Sequence, residues 1–341
     1  MIPAQGNGWQ YLRGVCLDVI PPGTGVYYTR AMPLYVWRQR GAFRVGSCDR
    51  HTIVIEAAAA EVGTALLSDA EYLLDHAAEQ HATVRSLLEH PTWHSPAWAV
   101  VTIYYWSFFA AMAMTRLAGA TVWFLDRTAI TQLRTLAGGR TQTQPPAGAL
   151  SLNVVPYISA TEREIVLQPT KTQLHDALWN SFHHLIKLIF DSADQDANAL
   201  EYRLFWCFSE ASKRLGNGWP SLVRNVVNYR PGRAYREVIR ETEIDLSRYL
   251  RRIAPFTFEK LVSELENAVL RTTLATLDDD AVPLLCRLLL LFATAVGAIA
   301  REVHTEIIER NSADRRWLDL KYHFLERYCH AAGGGVWPLG D

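Results

Sequence analysis

Cysteine is scarce and dispersed. Its five residues, Cys16, Cys48, Cys207, Cys286 and Cys329, stand far apart, are odd in number and include no CxxC pair, so neither a disulfide framework nor a structural zinc site is expected. Excess charge is missing too. The 34 Lys and Arg nearly balance the 35 Asp and Glu, and a net charge of -1 excludes nucleic-acid binding driven by global charge, leaving only local basic patches to weigh. No GxxxxGK[ST], GxGxxG or GxSxG string occurs, so no P-loop, dinucleotide fingerprint or nucleophile elbow is indicated. No repeat of constant period is seen. The segment MIPAQGNGWQYLRGV lacks the basic start, apolar run and small-residue cleavage site of a secretory signal. With reduced thiols, this sets the expectation of a cytoplasmic protein that needs no cofactor.

What the chain does have is a long charge-free stretch, Ser95–Thr115, inside the apolar segment Pro96–Asp126. A helix of that composition must bury nearly every face, in a membrane or in a protein interior. Small residues (Ala97, Ala110, Ala111, Ala113) stand among bulky aromatics, as expected where neighbouring helices approach closely. A second apolar run, Ala281–Ala300, carries Arg287, which would cost about 2.5–3.5 kcal/mol at a bilayer centre. A soluble helical core is therefore expected over a membrane-associated effector.

In chain order, residues 1–52 are rich in Gly, Pro and aromatics without helical period and read as an irregular N-terminal segment. A helical domain spans 53–341. Its pattern starts near Ile53, and Ser68 followed by Glu71 forms a capping box ahead of a helix at about 69–89. After the central helix, ATVWFLDRTAITQLRTLAGG reads as a shorter helix. The runs LSLNVVPYIS and REIVLQ predict one β-hairpin inserted at 149–168. Helices are expected at 172–191, 197–215, 219–229, 233–252, 257–277, 281–310 and 313–330. The fold class expected is mainly α, a multi-helix bundle with one inserted hairpin.

The string from Tyr104 to Ala111, YYWSFFAA, continuing to Arg116-Leu117-Ala118-Gly119, resembles the YYAxFxAAxALL helix of HEPN-type helical domains from prokaryotic toxin–antitoxin and anti-phage defence systems. Tyr72–Ala77 extends the resemblance to the preceding helix, and Ser221–Tyr235, SLVRNVVNYRPGRAY, resembles the segment where such families carry Arg-Asn and then His or Tyr. The resemblance implies a HEPN-like bundle and a metal-independent ribonuclease effector, working as a homodimer or with a partner protein. The arginine would stabilise charge on the scissile phosphate, and a histidine on the same helix would handle the proton of the attacking 2′-hydroxyl. Arg224 and Asn225 match the start of that motif, and Tyr229 stands where catalytic members carry histidine. An unperturbed tyrosine stays protonated near neutral pH and is a poor base, so a catalytically inactive subunit that binds a partner protein or nucleic acid is the alternative.

Arg44 with His51, Arg85 with His90, and Arg316 with His323 also have Arg-to-His spacings of this kind. Arg316 and His323, in RRWLDLKYH, form the alternative catalytic pair. The densest basic and aromatic cluster is Arg224, Arg230, Arg233, Arg236 and Arg240 interleaved with Tyr229 and Tyr235. Together with Asn228 these are candidate contacts for RNA or a partner, by charged forks and stacking; the opposing reading is neutralisation by Glu237, Glu241 and Glu243. His175 and His183 stand two helical turns apart and no acidic partner, Glu210 included, has a compelling spacing to them, so no metal is expected.

Overall fold

The structure is a computed structural model, and it describes residues 10–21, 32–89, 96–138, 144–155, 159, 161–192, 199–229, 257–272 and 282–310. Ten helices and five strands occur among them. In chain order they are α1 (Gln10–Val19), α2 (Leu34–Arg40), β1 (Arg44–Cys48), β2 (Ile53–Ala58), α3 (Ala59–Glu89), α4 (Pro96–Leu117), β3 (Ala120–Leu125), α5 (Arg127–Leu136), β4 (Gly148–Val155), β5 (Glu162–Pro169), α6 (Leu174–Ser192), α7 (Ala199–Leu215), α8 (Trp219–Tyr229), α9 (Phe258–Arg271) and α10 (Val282–Arg310).

The mainly helical expectation holds, with α4 at its centre. This helix packs against α3, α6, α8, α10 and β3. Ala110, Ala111, Ala113, Ile103, Tyr104, Trp106 and Met114 are fully buried on it. Among the described residues two helices are long and apolar enough to cross a membrane, α4 and α10; both are mostly buried inside the molecule and they touch each other. Arg287 on α10 pairs with Glu264 of α9 at 2.7 Å, which gives the one cation of that apolar run a partner. Phe292 of α10 gathers Phe208, Trp219, Phe182 and Trp179 at ring separations of 5.0–6.0 Å, tying α6, α7 and α8 to the same core.

The β content corrects the single-hairpin expectation. The predicted hairpin is present as β4–β5, but it forms the middle of an antiparallel sheet ordered β1-β2-β5-β4-β3. Residues 120–125, read as helix, are strand β3. Its six residues, apolar but for Thr121, are bounded by Gly119 in the left-handed region and by Asp126, whose carboxylate accepts the Ala129 N–H at 2.7 Å and starts α5. A Cβ on Gly119 would meet Val19 at 2.8 Å in addition to requiring a positive φ, so the junction of α4 and β3 demands glycine. Residues 53–58, read as the helix start, are strand β2, with alternate residues Ile53, Ile55 and Ala57 buried. Ile55, Ile165 and Val154 form one cross-strand row and Ile53, Leu167 and Leu152 the next, so one sheet face is apolar. Helix α5 starts beside β3 and packs on β1 at the other edge.

The segment expected to be irregular holds α1, α2 and β1, and β1 pairs with β2 across residue 52. Helix α1 is tied down by charge. Glu201 of α7 accepts the Gln10 N–H at 3.0 Å at its first turn, and Arg13 meets Glu306 of α10 at 2.5 Å. Helices α6, α7, α8, α9 and α10 lie where periodicity placed them, except that α9 stops at Arg271 because Thr272 is extended. The expected helices at 233–252 and 313–330 lie outside the described residues.

Candidate functional site

Helix α8 sets the site's geometry. Gly216, with φ 84°, closes α7 by giving its N–H to the Ser212 carbonyl, and α8 begins three residues later at Trp219. Trp219, Val223 and Val227 repeat every four residues and are buried; Trp219 is held edge-on to Phe292 at 5.2 Å. This stripe fixes the rotation of the helix. Ser221 and Arg224, one turn apart, are thereby brought to α4 at Tyr104.

Helix α6 supplies the third member. Its buried stripe runs through Trp179, Phe182 and Ile186, and Trp179 packs on Tyr104 with rings 6.2 Å apart. His175 lies one turn ahead of Trp179 on the same face. Its ring packs on Phe108 at 4.5 Å, and its Nδ1 lies 2.6 Å from the Tyr104 hydroxyl. That hydroxyl is also 3.1 Å from Ser221 Oγ. The Arg224 guanidinium sits over the Tyr104 ring, 4.8 Å from its centre. Its Nε and Nη2 both donate to Asn225 Oδ1, at 3.1 and 2.7 Å.

Electrostatically, the arrangement is a cation without a counter-charge among the described residues, beside a neutral imidazole. Arg224 is half-buried, and among the described residues it forms no ion pair; Asn225 and the Tyr104 ring are neutral. Burial, then the charge of Arg224, lowers the His175 pKa, with Asp176 acting weakly the other way, so His175 is uncharged near pH 7. Burial pushes the Tyr104 hydroxyl up and keeps it protonated, while Ser221, Trp179 and Arg224 act in the opposite direction. The structure thus brings Arg224 and Asn225 together with Tyr104, His175 and Ser221, which sequence reasoning did not place in the site. Ser221 was readable as the residue one turn before Arg224. Nothing in the linear sequence pairs His175 with it.

The remaining candidates separate from this cluster. Asn228 is exposed, and Tyr229 is 68% exposed at the last position of α8, with no hydrogen bond or ring contact among the described residues. Arg230, Arg233, Tyr235 and Arg236, and the alternative pair Arg316 and His323, lie outside the described residues. Arg44 pairs with Glu56 across the β1–β2 hairpin. His175, His183 and Glu210 do not converge: Glu210 binds Arg214 at 2.7 Å, and His183 is buried against Ser212, whose Oγ lies 2.8 Å from its Nε2. Comparison with protein families, with curated proteins and with solved structures finds no match.

His183 carries a pH prediction. Burial lowers its pKa from 6.5 to about 4, a backbone hydrogen bond at Asn217 only partly opposing this. Between those values the unfolded chain holds a proton that the folded chain refuses. Stability is therefore full above pH 6.5 and falls as pH drops toward 4, by about 3 kcal/mol at 1.36 kcal/mol per unit. Urea midpoints at pH 7 and pH 4.5 should show this loss, and His183→Gln should remove most of it. Equal acid sensitivity in both proteins would contradict the assignment.

Proposed function

We propose that the Arg224–Tyr104–His175 site cleaves RNA without need of a metal. One observation carries the reading: a half-buried arginine with no carboxylate partner among the described residues lies beside a histidine kept neutral. Those are the two groups that transesterification by a 2′-hydroxyl requires. Neutral His175 takes the 2′-hydroxyl proton as the 2′-oxygen attacks the adjacent phosphorus. The bond from phosphorus to the 5′-oxygen breaks, and that oxygen takes a proton from solvent, leaving a 2′,3′-cyclic phosphate and a 5′-hydroxyl. Arg224 neutralises charge growing on the non-bridging oxygens. In this reading the histidine missing at Tyr229 is replaced by one from another helix. The HEPN resemblance extends the proposal to a toxin or effector of prokaryotic antiviral defence acting as a homodimer or in a protein complex.

A second reading rests on Asn228 and Tyr229, which expose donors and a ring at the end of α8. There the same surface recognises a partner protein or nucleic acid and no bond is broken. A cleavage assay on mixed RNA with EDTA present separates the two. His175→Ala should lose about 10²–10⁴-fold in rate, the usual worth of a positioned acid–base group. Tyr229→Phe should cleave near the wild-type rate. If wild type cleaves nothing, alone or with its partners, only the binding reading survives; if His175→Ala cleaves normally, the proposed base is wrong.

A further inference from the structure

We infer that Tyr104 is the positioning residue of this site: its hydroxyl decides which nitrogen of His175 carries the proton, and its ring holds the Arg224 guanidinium beside the imidazole. The inference rests on the reading of His175 as proton acceptor, and it concerns an aromatic residue that helical spacing alone assigns to the core.

Tyr104 is fully buried at the middle of α4, yet its hydroxyl has two hydrogen-bond partners, His175 Nδ1 at 2.6 Å and Ser221 Oγ at 3.1 Å, and the Trp179 indole N–H nearby is not aligned to donate to it. A phenol has one proton to give. Two arrangements of the chain exist. In one, Ser221 donates to Tyr104 and Tyr104 donates to Nδ1, so the neutral imidazole carries its own proton on Nε2 and that nitrogen can only donate. In the other, Nδ1–H donates to the Tyr104 oxygen and Tyr104 donates to Ser221, so Nε2 keeps its lone pair. Nε2 has no hydrogen-bond partner among the described residues. Accepting a substrate proton at Nε2 requires the second arrangement. The imidazolium then formed already has its Nδ1–H satisfied, so the site need not reorganise as charge appears.

The ring does separate work. Its face lies under the guanidinium at 4.8 Å, while Asn225 Oδ1 holds the Nε and Nη2 edge. Two neutral contacts confine Arg224 without neutralising it. The charged and titratable groups that bear on His175 are Arg224 from α8 and Asp176 on its own helix, with Tyr104 and Tyr105 of α4 against its ring. None of these offers Nδ1 another acceptor, so the tautomer depends on Tyr104.

Two variants of the full chain separate the hydroxyl from the ring. Tyr104→Phe keeps the ring and the Arg224 contact and removes the relay; Tyr104→Leu removes both. Nitrogen-15 NMR of the histidines should find His175 protonated on Nδ1 in the neutral wild type and on Nε2 in Tyr104→Phe. RNA cleavage by Tyr104→Phe should fall about 10–100-fold in kcat with KM unchanged, the size found where a hydrogen-bond partner that orients a metal-ligating histidine is lost. In Tyr104→Leu, KM for RNA should rise as well. An unchanged His175 tautomer in Tyr104→Phe, or wild-type kcat in that variant, would overturn the inference. If the wild-type protein cleaves no RNA, the ribonuclease reading falls, and the tautomer comparison alone still decides the role of Tyr104.

Discussion

Arg224→Ala is expected to lower RNA cleavage by about 10²–10³-fold while moving the thermal midpoint by only a few degrees. The two halves of this expectation have different physical sources. The activity loss follows from removing the only cation the described site offers to a phosphate developing negative charge. The small stability effect follows from what Arg224 touches: Asn225 and the face of Tyr104, both neutral, with part of the side chain in solvent. A cation–π contact at such a site is worth about 0.5–1 kcal/mol. Had Arg224 been buried against a carboxylate, its removal would have stranded a charge and cost about 3–5 kcal/mol. Arg224 is also a cause of the depressed His175 pKa, so its loss should move the acid limb of any residual pH–rate profile to higher pH. Arg224→Lys keeps a charge but loses the planar fork held by Asn225, and should recover only part of the rate. A melt and a cleavage assay on the same preparation check the prediction. A large drop in midpoint with full cleavage would make Arg224 a structural residue and sink the proposed site.

How much of this was legible in the sequence differs between helices and strands. Helix α4 was legible because no charge interrupts Ser95–Thr115, and α6 to α10 because each combines a period near 3.6 with polar or Gly punctuation. Strand β3 was not, because six residues between Gly119 and Asp126, apolar but for Thr121, satisfy helix and strand alike. Strand β2 was hidden by the alanines that follow it, since the chain passes from Ala58 into α3 without a break. One signal for the β1–β2 hairpin did exist: Asp49 turns the chain by accepting the N–H groups of His51 and Thr52 at 2.7 and 2.9 Å. In the site, Arg224 and Asn225 were legible as neighbours on a short helix. Tyr104 was visible within the YYWSFFAA string, but a tyrosine at a core position reads as packing. His175 and Arg224 meet at Tyr104 only because α6 and α8 both dock on α4, a fact of tertiary packing that no local spacing encodes.

The same helix ends in a pair whose disruption should give the largest stability change. Arg116, in the last turn of α4, is 5% exposed, and its Nε lies 3.1 Å from Asp69 Oδ2 of α3. This is a charge contact more than an aligned hydrogen bond, since the Nε–H finds no well-directed acceptor. Nη1 donates to Thr121 Oγ1 at 3.2 Å, and Asp69 Oδ1 accepts the Leu34 N–H at 3.1 Å, at the start of α2. One carboxylate thus joins α2, α3 and α4. Burial shifts both partners toward neutrality, raising Asp69 and lowering Arg116, and each opposes the other's shift only in part. Desolvation therefore outweighs attraction, and the intact pair adds little net stability. Breaking it is another matter. Asp69→Ala leaves a guanidinium in the core with no counter-charge among the described residues and should cost about 3–5 kcal/mol, while Asp69→Ala with Arg116→Met should recover most of that loss. Urea unfolding of the single and double variants measures both steps. A single variant within about 1 kcal/mol of wild type, or a double variant no better than the single, would show that the buried charge is relieved elsewhere.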